Sequence, residues 1–238
     1  MKLQVLQTVL NSLRELASPL HCEVCSTYLS KRTRRMLYVC DACLDSLEAP
    51  PSPNELFNRL SRNFAQDDLS ISSIFSLIAA EHSAPIMEVM YSLKYRGISR
   101  LGVDFGREIG ETMKHLGNVN LDVIIPVPIH HARVRERGYN QAERIAFGIS
   151  QVLSIPIEKD ALVRSRYTLS QTKLSAIERE KNVVDVFRGG TAKSKIINKN
   201  VLLVDDVFTT GATLNSCATT LLELGAKKVD VATLAVAI

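Results

Sequence analysis

Short apolar runs rich in β-branched residues alternate along this chain with longer segments in which apolar residues recur at helical spacing. Runs of this kind are typical of strands buried on both faces, and strands separated by helices favour a parallel sheet. The expected fold class is therefore α/β. The predicted strands are 71–78, 123–125, 201–204 and 229–236, and the predicted helices are 56–64, 85–95 and 98–116.

The amino-terminal segment carries leucines at positions 3, 6, 10, 13 and 16, a spacing that places them on one face of a helix. Polar residues interrupt the segment, so it lacks the apolar core of a signal peptide, and no run of about 18 apolar residues predicts a membrane-spanning helix. We therefore expect a cytoplasmic protein. The helix either packs against the rest of the protein or lies at the surface of the inner membrane.

The composition is that of an ordinary globular protein. Of the 238 residues, 46% are hydrophobic and 23% are charged, which excludes a disordered or collagen-like chain. The length corresponds to about one and a half domains of about 150 residues. The net charge of +4 is too small to indicate a nucleic-acid-binding protein by itself.

Four cysteines form two Cys-x2-Cys pairs, Cys22 with Cys25 and Cys40 with Cys43, separated by fourteen residues. Two such pairs supply the four tetrahedral thiolate ligands that Zn²⁺ prefers in structural sites. A disulfide framework is disfavoured without a secretory signal, and a thioredoxin-like redox pair explains one Cys-x2-Cys but not two. We predict structural zinc, and an iron–sulfur cluster with the same ligands stays open.

The segment between the two cysteine pairs is basic, with Lys31, Arg32, Arg34 and Arg35. A solvated turn explains such a run, and so does a phosphate-contacting patch presented by a rigid metal-held turn. Both interpretations stay open.

Three prolines, Pro50, Pro51 and Pro53, follow the cysteine segment. Because proline fixes φ and has no backbone N–H, they predict an extended spacer and a domain boundary. The predicted organisation is an amino-terminal helix with a zinc module over residues 1–49, a linker over 50–69 and an α/β domain over 70–238.

The most informative segment is 201–213, in which a buried strand is predicted to end at Asp205 and Asp206 before a turn of small and hydroxyl residues and a helix. Ligands of open α/β sheets bind at the carboxyl ends of the strands, and backbone N–H groups at a helix N-terminus bind anions. A ribose 5-phosphate satisfies both features, with its phosphate on the turn and its hydroxyls on the carboxylates. The predicted binding residues are Asp205, Asp206, Thr209, Thr210, Gly211, Ala212 and Thr213.

A ribose phosphate site accounts for more of this segment than its alternatives do. An ordinary helix cap at Thr209 or Thr210 does not explain the two aspartates. A phosphoaspartate site needs a further acidic cluster and a downstream lysine, which the sequence does not offer. The P-loop motif is absent.

Residues 201–213 resemble the signature with which type I phosphoribosyltransferases bind phosphoribosyl pyrophosphate (PRPP): an apolar strand, two acids, two further positions, then Thr-Thr-Gly-x-Thr. With the four cysteines, the chain resembles the ComF/GntX family of phosphoribosyltransferase-like proteins over essentially its whole length. The segments that agree with that family are 93–97, 126–128, 137–141, 171–174, Arg179 and 182–187.

The resemblance implies a type I phosphoribosyltransferase-like, Rossmann-type parallel sheet with a small zinc-bearing amino-terminal module. It also implies a role in natural competence and DNA uptake, with PRPP, single-stranded DNA and proteins of the competence machinery as partners. Catalysis is left open. In the alternative, the protein is an Mg²⁺-dependent phosphoribosyltransferase for an unidentified base or metabolite, with Asp205 and Asp206 as its catalytic residues.

PRPP also carries a pyrophosphate, which such folds hold on a loop after an earlier core strand. This places residues 127–131 on the pyrophosphate side, and Mg²⁺ arrives with the ligand and keeps several waters. The candidates on this side are Lys94, Val127, Pro128 and Arg137.

Residues 133–144 contain four arginines and Tyr139. They predict a flexible lid over the pyrophosphate, a DNA contact in which Tyr139 stacks on a base, or a solvated helix face. Two neighbouring histidines, His130 and His131, are candidate acid–base groups. Phe187 and Phe208 either stack on a base or belong to the core, and the fifth cysteine, Cys217, is predicted to be a buried apolar residue.

Overall fold

The computed structural model describes residues 20–29, 35–80, 85–117, 120–165 and 186–237. The predicted amino-terminal helix, Lys31, Arg32, Arg34 and the matching segments between 171 and 185 lie outside these residues. The elements in chain order are α1 (Asp41–Asp45), α2 (Pro53–Ser61), β1 (Ser73–Ala80), α3 (Ile86–Tyr95), α4 (Ser99–Leu116), β2 (Val123–Pro126), α5 (His131–Arg137), α6 (Gln141–Leu153), β3 (Leu162–Arg164), β4 (Phe187–Gly189), β5 (Asn200–Phe208), α7 (Ala212–Glu223) and β6 (Lys228–Ala237).

The main sheet has four parallel strands in the order β1–β6–β5–β2, which confirms the predicted α/β class. Strands β3 and β4 form a separate antiparallel pair. None of the described helices is both long enough and apolar enough to span a membrane.

Both faces of the main sheet are covered, which explains the continuous apolar runs of its strands. Successive residues of β5 point to opposite faces, so Leu202 and Val204 pack with α3, α4 and α6, and Val201 and Leu203 pack with α2 and α7. The ends of the parallel strands therefore lie between two helical layers.

Helices α4 and α6 approach closely because glycines line their contact. Gly102, Gly106 and Gly110 recur every fourth residue of α4, on the face toward α6, and Gly148 of α6 lies against Val103. A Cβ atom at Gly106 would overlap the carbonyl oxygen of Ile145, which belongs to rigid backbone. The contact therefore depends on the absence of a side chain.

Replacing Gly106 with alanine is expected to lower the free energy of unfolding by about 1–3 kcal/mol, despite the better helix propensity of alanine, because the two helices must separate. The urea midpoint measures the change, with Glu111→Ala on an exposed position of the same helix as a control expected within about 0.5 kcal/mol of wild type. Equal midpoints for the two variants would contradict the close packing.

The proline-containing segment is not extended through Asn54, contrary to the prediction, because α2 begins at Pro53. Proline suits the first position of a helix, and Ser52 caps α2 through a reciprocal pair of hydrogen bonds with Glu55. Leu56 and Leu60 of α2 are buried in the core that includes β1. The segment 50–69 thus carries part of the core, and the division into a module, a linker and a domain stays a prediction.

Candidate functional site

The four cysteines converge on one point. The ligand sulfurs of Cys22, Cys25, Cys40 and Cys43 all lie within 4.8 Å of one another, and the Cys25 and Cys40 sulfurs are 3.7 Å apart. Tetrahedral ligands at about 2.3 Å from a zinc ion would be about 3.8 Å from each other. The cluster therefore has the spacing to hold one metal ion.

Hydrogen bonds and burial act in opposite directions on the pKa values of these cysteines. The backbone N–H of Cys40 donates to the Cys22 sulfur at 3.4 Å, and that of Cys43 donates to the Cys40 sulfur at 3.4 Å. Hydrogen bonds with Thr27 lower the pKa of Cys25 to about 6, whereas burial raises the pKa of Cys40 and Cys43. A bound cation would supply the charge that the last two thiolates need.

The cysteine segment is packed against α3 and α4. The Glu23 carboxylate accepts hydrogen bonds from the Ser92 hydroxyl at 2.7 Å and from Arg96 at 2.9 Å, and the Leu37 N–H donates to Asp104 at 3.2 Å. These bonds fix the cysteine segment on the helical layer. In the predicted basic patch, Arg35 is paired with Asp45 within the same segment.

Strand β5 extends to Phe208, four residues beyond the predicted strand 201–204, because it pairs with β6 as far as Phe208↔Val236. Asp205 and Asp206 therefore lie within the last residues of the strand rather than in the loop. Beyond the strand, Gly211 has φ +84° and is the N-cap of α7. The left-handed conformation at this position explains the need for glycine.

Helix α2 and the residues directly after it support this loop. The Asn63 side chain donates to the Thr210 carbonyl at 3.0 Å, and a Cβ atom at Gly211 would overlap the Leu60 side chain. Phe208 is fully buried beneath the loop, and Phe187 is also buried, so both belong to the core.

Two adjoining cavities meet at the end of β5. One of about 210 Å³ is lined by Asp205, Asp206, Val207 and the loop residues Thr209 to Leu214. The other, of about 150 Å³, is lined by Lys94, Val127, Ile129, Arg133, Arg137, Asn140, Gln141, Ala142, Arg164, Asp205, Asp206 and Thr213. The two cavities share Asp205, Asp206 and Thr213.

Among the described residues, those that line the second cavity carry an excess of positive charge. They include four basic side chains, Lys94, Arg133, Arg137 and Arg164, and two carboxylates, those of Asp205 and Asp206. The Lys94 ammonium lies 3.0 Å from the Asp206 carboxylate. A strongly anionic ligand complements this arrangement.

The structure thus brings Lys94, Val127 and Arg137 together with the two aspartates. Pro128 does not line the cavity, whereas Ile129 does. Sequence reasoning missed Arg164, because it ends the three-residue strand β3, which no hydrophobic pattern marked.

The arginine-rich segment consists of α5 and the beginning of α6, and its role as a lid over the pyrophosphate stays a prediction. Helix α5 ends at Gly138, with φ +80°, and α6 begins at Gln141. The half-buried Tyr139 donates its hydroxyl to the Leu93 carbonyl, and its stacking on a base stays a prediction. These contacts attach the segment to the end of α3.

The two histidines are not brought into the cleft. His130 caps α5, since its Nδ1 accepts from the Ala132 N–H at 3.2 Å, and its ring lies 3.9 Å from that of His131. Neither histidine is among the described residues that line the two cavities.

Burial, together with the charge of Asp206, raises the pKa of Asp205 from its ordinary 3.8 to about 8. Asp205 accepts one hydrogen bond, from the Asp206 N–H at 2.8 Å. This carboxyl is therefore protonated between about pH 4 and pH 8, where a free aspartate is ionised.

This shift predicts a pH dependence of stability. Between about pH 4 and pH 8 the folded state binds more protons at Asp205 than the unfolded state, so the free energy of unfolding falls as the pH rises. Replacing Asp205 with asparagine removes this contribution, and the melting temperature of the variant should decline less between pH 5 and pH 8 than that of the wild type. Parallel melting curves against pH would contradict the assignment.

Comparisons with known proteins give the same picture of the carboxyl-terminal half. The family model described as phosphoribosyl transferase domain matches residues 136–237. The chain is 40% identical over 110 residues to Competence protein F of Haemophilus influenzae, covering 46% of this chain and 48% of that protein, or about half its length.

A second relative and a solved structure extend the comparison. The chain is 30% identical over 156 residues to DNA utilization protein YhgH of Escherichia coli K12, covering 64% of this chain and 67% of that protein. A purine phosphoribosyltransferase structure from Pyrococcus horikoshii is 22% identical, with a TM-score of 0.37 over 57% of this chain and 73% of that chain.

Proposed function

The chain belongs to the ComF family of phosphoribosyltransferase-like proteins, and on that premise we propose that it binds PRPP in the two joined cavities and acts in DNA uptake. One observation carries the PRPP assignment. A cavity built from hydroxyls and a helix N-terminus shares two aspartates with a cavity lined by four cations. PRPP has the same order of groups, with a phosphate at one end, a ribose in the middle and a pyrophosphate at the other.

Each part of the cleft has a role in this proposal. Residues Thr209 to Thr213 bind the 5-phosphate through hydroxyls and the N–H groups that begin α7. Asp205 and Asp206 accept hydrogen bonds from the ribose hydroxyls, and Lys94 moves from Asp206 to the pyrophosphate. Arg137 and Val127 stay on the pyrophosphate side, joined by Arg133 and Arg164. Mg²⁺ bound to the pyrophosphate neutralises part of its charge.

The metal at the four cysteines is proposed to be zinc with a structural role. Four thiolates fill the tetrahedral shell, so no position is left open for chemistry. The ion holds the segment whose Glu23 is bonded to Ser92 and Arg96.

The names of the relatives, which refer to competence and to DNA utilization, support the proposed cellular role. We propose that this protein handles incoming single-stranded DNA together with proteins of the competence machinery. Its place is then the cytoplasm, at the inner membrane, where an imported strand arrives.

Calorimetric titration with PRPP, with and without Mg²⁺, tests the proposal. PRPP is expected to bind more tightly than ribose 5-phosphate or pyrophosphate alone, because it fills both cavities. Mg²⁺ is expected to raise the affinity only of ligands that carry a pyrophosphate. PRPP binding no tighter than that of its separate halves would refute a joined site.

An enzymatic role is a second candidate, favoured by the position of the carboxylates. Asp205 and Asp206 lie where positive charge develops on the ribose as pyrophosphate leaves, beside cations that stabilise the leaving group. Incubation with PRPP, Mg²⁺ and a panel of bases should then release pyrophosphate in a base-dependent manner. If the wild type releases pyrophosphate no faster than an Asp205→Asn/Asp206→Asn control does, the protein binds PRPP without catalysing phosphoribosyl transfer.

A further inference from the structure

Two exposed tyrosines lie side by side on α3. The side chains of Tyr91 and Tyr95 are one helical turn apart, and the two residues are 50% and 59% exposed. Their ring centroids lie 5.2 Å apart at an angle of 44°. Met87, one turn earlier, is 42% exposed and continues the row.

A guanidinium group lies over one face of each ring. Arg96 lies 5.4 Å from the centroid of Tyr91, and Arg137 lies 5.6 Å from that of Tyr95. Glu23 of the cysteine segment holds Arg96 at 2.9 Å, and Gln141 holds Arg137 at 3.1 Å. We call the two tyrosines and the two arginines the tyrosine–arginine row, and its side chains are already ordered by their neighbours.

The tyrosine–arginine row leads into the cleft. Arg137 covers Tyr95 and also lines the cation-rich cavity. Lys94, next to Tyr95 in sequence, reaches Asp206 in the same cavity. An extended polyanion lying on the tyrosines would therefore meet PRPP at Arg137.

We propose that Tyr91 and Tyr95 stack on neighbouring bases of a single-stranded nucleic acid whose backbone runs toward Arg137. Exposed aromatic rings beside cations are the elements with which proteins bind single strands without reading their sequence. A protein partner would require a broader apolar surface than the side chains of Met87, Tyr91 and Tyr95, which are flanked by guanidinium groups. The proposal rests on the proposed function and assigns a place to its DNA contact.

The chain has no tryptophan, so base stacking is directly visible as quenching of tyrosine fluorescence. With a labelled strand of about 20 thymidines, Tyr91→Ala and Tyr95→Ala are each expected to weaken binding about 5- to 150-fold, because each variant loses the stacking of one base. Tyr→Phe variants should restore binding. Phe147→Ala, which removes a 45% exposed ring from α6, is the control expected to leave binding unchanged.

An abasic strand of equal length separates stacking from charge, and it should bind the wild type more weakly than the thymidine strand binds Tyr91→Ala, because it loses the stacks on both tyrosines. Saturating PRPP should weaken strand binding, and the strand should weaken PRPP binding by the same factor, because both ligands use Arg137. Equal affinity for abasic and thymidine strands, or no effect of the alanine variants, would each overturn the proposal. If PRPP binds, the absence of a mutual effect of the two ligands would overturn it as well.

The same variants distinguish a failure of this proposal from a failure of the proposed function. PRPP binding by Tyr91→Ala should equal that of the wild type, since Tyr91 is outside both cavities. If PRPP binds and the strand does not, the tyrosine–arginine row is wrongly assigned while the PRPP site stands. If the strand binds through the tyrosines and PRPP does not bind, the proposed function fails and the row stands.

Discussion

Replacing Cys22 with serine is expected to abolish metal binding at the four-cysteine site and to lower the melting temperature by roughly 10–20 °C. Structural zinc sites contribute about 10–16 kcal/mol to the folding of small modules, and the loss of about 5 kcal/mol shifts the melting temperature of a protein this size by that amount. The effect reaches beyond the module, because Leu29, Met36 and Val39 share a core with the sheet.

Cys217→Ser provides a matched control. Cys22 and Cys217 are 2% and 0% exposed, so both substitutions bury a hydroxyl, but only Cys22 belongs to the cluster. The control should lose about 1–3 kcal/mol and keep one metal ion per chain, as measured by elemental mass spectrometry, which also distinguishes zinc from iron. If Cys22→Ser kept its metal, or both variants melted together, the structural metal site would be ruled out.

The sequence predicted the fold well because its signals were local. The apolar runs marked the four strands of the sheet, and strand bounds differed from the prediction mainly where pairing with a neighbour decides the end, as in β5. The predicted extended spacer differs from the structure only at its end, where α2 begins at Pro53. Proline is compatible with both a spacer and the first turn of a helix, and the capping pair of Ser52 and Glu55 decided between them.

The cleft was only partly predictable. Asp205, Asp206 and the loop after them lie in one segment, so their pattern was readable from the sequence. The second cavity joins side chains from α3, α5 and β3, such as Lys94, Arg133 and Arg164, whose proximity follows from packing alone. The guanidinium groups over the α3 tyrosines likewise reach them only in the folded chain.

Replacing Asp206 with asparagine is expected to weaken PRPP binding about 10- to 150-fold. The carboxylate is the acceptor proposed for a ribose hydroxyl, and a hydrogen bond to a charged group contributes about 1.5–3 kcal/mol. Asp230→Asn is the matched control, because both side chains are 15% exposed and each lies within 3.0 Å of a lysine ammonium. Calorimetry should show the full PRPP affinity for this control.

Separate titrations with ribose 5-phosphate and with pyrophosphate show for which part of PRPP the Asp206→Asn variant loses affinity. In the wild type, Lys94 is paired with Asp206, so its ammonium must leave that carboxylate before it can contact a pyrophosphate. Asp206→Asn removes this competing partner, and affinity for pyrophosphate alone should therefore stay constant or rise, while affinity for ribose 5-phosphate falls. A parallel fall for both halves would mean that Asp206 organises the whole cleft rather than binding the ribose, because a carboxylate that only accepts hydroxyl hydrogen bonds has no favourable contact with pyrophosphate to lose.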